Sequence, residues 1–347
     1  MPVVVDERCS LHDPAHEIWI GVATPAAETP ARLGTIRQAL GDARFVSASK
    51  HPRDALAAVH DDRLLDYLES AWDEWESAGL PQDPGQERVV PYVFAHGSLT
   101  GGRPPAVPTA TWARPGYFAY DTMTLVGPGT WEAAVGAADA ALTAVDLVLA
   151  GEPAAYACVR PPGHHVTRSA YGGSCYLNTA SIAAAELARR VGTVAVIDIG
   201  AHHGNGTQEI FYERGDVLAG SVHVDPGAGC FPHFLGFGDE SGGGDGRGAN
   251  RNIPVAPGTA DDGWLAAVRE LADWAAGHEP KGLVVPLGVD AAADDPESPL
   301  RVSAHAFRAA GRELHRLAVP TVFVQEGGYN LQTLGLLVNE TLTGFEE

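Results

Sequence analysis

Residues 194–211 read VAVIDIGAHHGNGTQEIF, and the fold of this 347-residue chain can be predicted from the pattern they contain. An apolar run typical of a buried strand ends at Asp198, and two histidines follow at His202 and His203. The glycines after them permit a tight backbone path. An acidic residue and histidines directly after a buried strand are typical of the edge of a ligand or metal site.

The rest of the chain repeats this alternation of short apolar runs and helical patterns. The apolar runs predict strands at 155–159, 194–199, 217–224, 282–289 and 321–325. The helical patterns predict helices at 130–150, 178–191, 260–277 and 303–317. This alternation predicts an α/β fold, in which residues 1–347 form a single domain built on an open parallel sheet with helices on both faces.

Each predicted strand is followed by residues that can do chemistry. The segments after the first three strands read RPPGHH, DIGAHHGNG and HVDPG, the fourth strand ends at Asp290, and the fifth runs into EGGYN. In open parallel sheets, ligands bind beyond the carboxyl ends of the strands. We therefore expect polar side chains from five strands to meet at one edge of the sheet.

One long segment interrupts the regular part of the chain. Residues 79–116 are rich in proline and glycine, which predicts an irregular loop. Loops of this length in compact domains usually serve as lids or interface arms, and a surface excursion without such a role is the alternative.

Composition limits the partners of the chain. Its 23 basic and 44 acidic residues give a net charge of -21, which argues against nucleic-acid binding because phosphates would be repelled. The same charge favours a cationic small molecule, or serves only solubility. We find no secretion signal and no apolar run of membrane-spanning length, so we expect a cytoplasmic protein without a membrane partner.

The residues at the predicted edge suit metal-assisted hydrolysis. A catalytic zinc ion takes three protein ligands and a water, a histidine accepts the water's proton, and a donor stabilises the tetrahedral intermediate. His202 and Asp290 are the candidate ligands. His164 and His165 are candidates for proton transfer, and Tyr329 is the candidate donor. The alternatives are structural histidines in the tandem pair and a hydrogen-bonded core pair of His202 with Asp290.

The third metal ligand is missing from this set. A second carboxylate is expected between Asp198 and His202, but residue 200 is glycine. We expect that Asp198 does not replace it, because we expect its side chain on the opposite side of the strand from Gly200.

Several ordered motifs resemble those of the histone deacetylase superfamily, most closely its bacterial acetylpolyamine amidohydrolase branch. They read RPPGHH, GGSCYLNTASIAA, DIGAHHGNGTQEIFY, FLGFGDE, LGVDAAADDP and EGGYN, and with LHDPAHE near the start they cover nearly the whole chain. The resemblance implies the arginase/deacetylase fold and zinc-dependent removal of acetyl groups from small cationic amines. It also implies a structural potassium ion, and a homodimer in which the 79–116 insertion caps a narrow pocket.

The resemblance further implies a role for each matching residue. His164 and His165 match the tandem general base and acid, which Asp198 and Asn205 orient. Tyr329 matches the tyrosine that polarises the carbonyl. His202 and Asp290 match two zinc ligands. The potassium site is matched by Asp198, Gly200, His202, Ser221 and Val222. Glu17 and Asp121 match residues that recognise the substrate.

The chain departs from the family pattern Asp-x-Asp-x-His at Gly200, where the middle aspartate binds zinc, and also at the glycine-rich segment 242–248. Three hypotheses follow. The chain is a zinc-dependent amide hydrolase, or Gly200 is an introduced substitution in such an enzyme. Alternatively, it is a metal-deficient homologue that binds a small ligand or does metal-free acid/base chemistry with His164, His165 and Tyr329.

Overall fold

The computed structural model describes residues 1–347 and contains ten strands. They are β1 (Val3–Val5), β2 (His16–Trp19), β3 (Val22–Pro25), β4 (Phe45–Ser47), β5 (Ala154–Ala157), β6 (Val194–Asp198), β7 (Val217–Val224), β8 (Asn250–Val255), β9 (Leu283–Leu287) and β10 (Thr321–Gln325). β2 and β3 form an antiparallel hairpin, and the other eight form one sheet in the order β4-β1-β5-β10-β9-β6-β7-β8. Every pair in that sheet is parallel, as the sequence predicts.

The helices surround this sheet. They are α1 (Ala31–Leu40), α2 (Asp54–Ala57), α3 (Asp62–Ser77), α4 (Gly97–Thr100), α5 (Pro115–Phe118), α6 (Thr130–Leu149), α7 (Thr179–Val191), α8 (Asn205–Phe211), α9 (Asp261–Ala276), α10 (Ala304–His315) and α11 (Leu334–Glu346). The predicted helices correspond to α6, α7, α9 and α10 and are confirmed, with ends that differ by two residues or fewer.

The middle of the sheet is covered on both faces. Every residue of β5, β6, β7, β9 and β10 is buried, which is why these strands read as continuous apolar runs. α6 and α7 contact each other and the central strands, while α9, α10 and α11 form a second group on the other face. Phe323 of β10 meets Phe345 of α11 with ring centroids 5.0 Å apart.

The sequence did not predict the strands near the sheet edges or the hairpin. β1 and β4 have three residues each, too few to show a period. β8 mixes polar residues and a proline into its six positions. A proline in a strand is an edge feature, and β8 is indeed the last strand of the sheet.

The 79–116 segment is irregular, as predicted, apart from α4 and the start of α5. It is fixed to the domain by the Trp75 indole, which donates to the Gln86 carbonyl at 2.9 Å, and by a bridge between Val89 and Val126. No helix of the chain combines the length and the apolar character that crossing a membrane requires.

Candidate active site

The carboxyl edge of the sheet gathers the predicted site residues. His164 and His165 follow β5, Asp198 ends β6, and Asp290 follows β9. Because these strands are parallel and β10 lies between β5 and β9, Tyr329 after β10 reaches the same edge. The topology therefore brings together residues from four separate parts of the chain.

The tandem histidines are each held by one partner. His164 Nδ1 lies 2.7 Å from Asp198 Oδ2, and His165 Nδ1 lies 2.6 Å from Asn205 Oδ1. Both histidines are buried, and their ring centroids are 4.0 Å apart. Because each Nδ1 is hydrogen-bonded, both Nε2 atoms remain for proton transfer, as the predicted role of a general base and acid pair requires.

The surroundings of the two histidines shift their pKa values in opposite directions. Burial lowers the pKa of His164, but the carboxylates of Asp198 and Glu326 outweigh it, and the pKa is about 9. Burial and the neighbouring His164 and His202 hold the pKa of His165 well below its usual value. Two adjacent groups with separated pKa values are typical of an acid/base pair.

The two candidate metal ligands also contact each other. His202 Nδ1 lies 3.0 Å from Asp290 Oδ2, and the Ala201 N–H donates to Asp290 Oδ1 at 2.8 Å. Two ligands about 2.0 Å from one tetrahedral zinc ion are roughly 3.3 Å apart, so the separation suits both a shared ion and a direct hydrogen bond. Burial opposes ionisation of Asp290, yet the bond from His202 makes the net shift of its pKa downward.

Gly200 occupies the position between these groups and contributes no donor. A Cβ atom there would lie 3.0 Å from Asp290 Oδ1 and 3.5 Å from Asp198 Oδ1. No three His, Cys, Asp or Glu side chains in the chain are arranged to hold a metal ion.

The expected orientation of Asp198 is wrong. Residues two apart on a strand share a face, and Asp198 Oδ1 lies on the Gly200 side and accepts its N–H at 3.2 Å. The other oxygen of this carboxylate, Oδ2, is hydrogen-bonded to the His164 imidazole.

Two of the predicted potassium ligands are neighbours, since the strand register pairs Asp198 with Ser221. The potassium ion itself stays a prediction, and Val222 follows Ser221 on the same buried strand.

The tyrosine loop after β10 is held by residues that sequence reasoning did not single out. The Tyr329 N–H donates to Asp295 Oδ2 at 2.6 Å, and Arg32 Nε donates to the Gly328 carbonyl at 2.7 Å. The Arg32 guanidinium lies 4.9 Å from the Tyr329 ring centroid. Asp295 was visible in the motif LGVDAAADDP, whereas nothing near Arg32 in sequence indicates its role.

Arg32 belongs to a buried ionic cluster behind the site. Glu28 Oε1 accepts from Arg32 and from Arg160, both at 2.9 Å, and Glu28 Oε2 accepts from Arg160 at 2.6 Å. Burial raises the pKa of Glu28, but the two guanidinium groups overcome this effect and bring it to about 2.

The two predicted substrate-recognition residues differ in how far hydrogen bonds to the backbone hold their carboxylates. Glu17 is half-buried on β2, where burial and then the carboxylates of Glu297 and Asp121 raise its pKa to about 7. Asp121 instead accepts from the backbone N–H groups of Met123, Thr124 and Gly173. Its part in substrate recognition stays a prediction, and its observed contacts support the loop beside His165.

Comparisons with known proteins identify the family of the chain. The histone deacetylase domain matches residues 26–345. Acetylpolyamine amidohydrolase 1 of Pseudomonas aeruginosa is 38% identical over 342 residues, which are 97% of this chain and 96% of that one. The acetylpolyamine amidohydrolase of Mycoplana ramosa is 36% identical over 348 residues, with 99% of both chains covered.

A solved structure supports the same assignment. The crystal structure of acetylpolyamine aminohydrolase from Burkholderia pseudomallei superposes with a TM-score of 0.93 at 36% identity, covering 99% of this chain and 98% of that one. The family predicted from the sequence motifs and the parallel sheet both agree with these matches. The chain belongs to the histone deacetylase family.

Proposed function

We propose that the chain binds a small N-acetylated cationic amine of the acetylpolyamine type, and that it hydrolyses this ligand poorly because its zinc site lacks one carboxylate. The names of its relatives support the ligand class. The half-buried Glu17 and the exposed Glu297 near it support recognition of an ammonium group. The net charge of -21 adds long-range attraction for a cation.

Gly200 is the observation that carries the second half of the proposal. His202 and Asp290 supply only two metal ligands, whereas catalytic zinc takes three protein ligands. The residues present therefore do not fit the zinc ion that the family uses. The introduced-substitution hypothesis makes the same prediction for the chain as it stands, and it differs only in what the natural protein would do.

The remaining residues can still bind and orient an acetylamide. The Tyr329 hydroxyl is the donor for the ligand carbonyl, and burial raises the pKa of Tyr329 well above its ordinary value, so it stays protonated. His164 and His165 hold and move a proton at their Nε2 atoms. Phe231, whose ring centroid is 4.8 Å from that of His165, is an apolar wall for the acyl end.

We also propose a homodimer, a structural potassium ion and a cytoplasmic protein. The 79–116 segment exposes Tyr92, Leu99 and Trp112, and aromatic side chains are enriched at interfaces. The expected potassium ligands are Asp198, the carbonyls of Gly200 and His202, and the consecutive residues Ser221 and Val222 of β7. No nucleic acid or membrane partner is proposed.

Calorimetry and a turnover assay test the proposed function together. We expect N-acetylputrescine to bind, and acetate release to stay near background both with zinc and with a chelator. Absence of binding would contradict the ligand class. Fast acetate release that a chelator abolishes would contradict the missing-ligand argument.

A further inference from the structure

The peptide that joins Gly328 to Tyr329 is held at both of its polar ends. Its carbonyl accepts from Arg32 Nε at 2.7 Å, and its N–H donates to Asp295 Oδ2 at 2.6 Å. Both partners are ionic side chains, so both hydrogen bonds are of the stronger, charge-assisted kind. Both partners are also buried, which protects these bonds from competition by water.

The sequence before Tyr329 makes such a clamp necessary. Gly327 and Gly328 precede it, and Gly328 has a φ of +123°, which side-chain-bearing residues rarely adopt. Glycines pass between positive and negative φ at little cost, so an unheld peptide here could rotate. Because rotation would change the backbone angle at Tyr329, it would also move the phenol hydroxyl.

Asp295 connects this loop to the segment that carries Asp290. Its Oδ2 also accepts from the Asn330 N–H at 3.2 Å, and its Oδ1 accepts from the Glu297 N–H at 3.0 Å. One carboxylate therefore fixes the loop after β10 against the loop after β9. A neutral amide cannot do the same, because it has one acceptor oxygen where Asp295 uses two.

We propose that Asp295 is a positioning residue, which holds the Tyr329 hydroxyl on the ligand carbonyl and thereby sets the preference of the site for acetylated amines. The inference rests on the proposed function, because that function assigns the carbonyl to Tyr329. Arg32 holds the other end of the same peptide, but it also neutralises Glu28, so Asp295 gives the cleaner test.

The test compares two ligands of equal chain length. N-acetylputrescine carries the carbonyl, and heptylamine carries the same ammonium without it. Calorimetry gives both dissociation constants for the wild type, Tyr329→Phe, Asp295→Asn and the double variant. We expect Asp295→Asn and Tyr329→Phe each to reduce the preference for N-acetylputrescine by about 2- to 10-fold, the value of one hydrogen bond, and the double variant to do no more.

Controls separate the possible failures. Asp294→Asn changes the exposed neighbouring carboxylate, which accepts only from the Asn330 side chain at 3.1 Å and leaves the peptide before Tyr329 untouched, so it is expected to leave the preference unchanged. Equal weakening of both ligands by Asp295→Asn, or additive effects in the double variant, would overturn the positioning role. If wild type and Tyr329→Phe show the same preference, the proposed function fails instead. If Asp295→Asn does not fold, Asp295→Ser, which keeps one short acceptor, replaces it in the same comparison.

Discussion

Replacing Gly200 by aspartate should restore metal binding. The site has room for the side chain, since a Cβ atom at position 200 meets nothing closer than Asp290 Oδ1 at 3.0 Å. That oxygen accepts from Ala201 and needs to yield by only a few tenths of an ångström. The backbone angle at residue 200 lies outside the left-handed region, so a side chain there adds no backbone strain.

The size of the effect follows from ligand count and charge. Losing an outer partner of a metal ligand costs about 10- to 100-fold in affinity, so gaining a direct ligand should give at least about 100-fold. Without metal, the new carboxylate would face Asp290 at roughly 5 Å, which costs about 3 kcal/mol at an effective dielectric constant near 20. We therefore expect the metal-free variant to be less stable than the wild type and zinc to reverse that loss.

Elemental analysis after dialysis against a weak chelator measures the result, with thermal unfolding as the second readout. The wild type should retain little zinc, and zinc should not change its melting temperature. Gly200→Asp should retain about one zinc per chain. Gly200→Asn is the matched control, because it adds the same shape without the charge. The reasoning is refuted if the wild type holds zinc as firmly as Gly200→Asp.

Two further predictions concern charges away from the metal position. Because Glu17 has a pKa of about 7, its carboxylate attracts a cation only once the pH exceeds that value. The affinity for N-acetylputrescine should therefore rise with pH through about 7, and Glu17→Gln should flatten this profile. The same pH profile in wild type and Glu17→Gln would contradict the role of Glu17 in substrate recognition. Glu28→Gln leaves two buried guanidinium groups without their carboxylate partner and should cost about 3–5 kcal/mol in urea unfolding. Glu7→Gln, which removes the exposed carboxylate partner of Arg37, should cost about 0–1 kcal/mol. A small loss for Glu28→Gln would show that the cluster relaxes. 

Much of the fold and of the site follows from short-range patterns. The buried strands were predictable because a strand covered on both faces must be apolar throughout, and VLAGSVHV is an example. Their carboxyl ends then place His164, Asp198 and Asp290 at one edge without any knowledge of tertiary contacts. The absence of a side chain at Gly200 is likewise a property of the sequence.

The residues that hold the site in place were not predictable in this way. Arg32 and Glu28 lie in the first tenth of the chain, outside any chemical motif, and their partners come from distant segments. The hairpin that carries Glu17 is short and partly exposed, so it shows no strong apolar pattern. The orientation of the Asp198 side chain was mispredicted: residues two apart on a strand share a face, whereas Asp198 and Gly200 were expected on opposite faces.

The place of β10 in the sheet has a consequence for how the protein is made. This strand comes last along the chain, yet it lies between β5 and β9. Without β10 the sheet would divide into two parts with open inner edges at β5 and β9, the first followed by His164 and the second including Asp198. Such edges are prone to pairing with other chains. Insertion of β10 joins the two halves and completes the pocket, so a chain truncated before β10 should aggregate rather than keep a partial site.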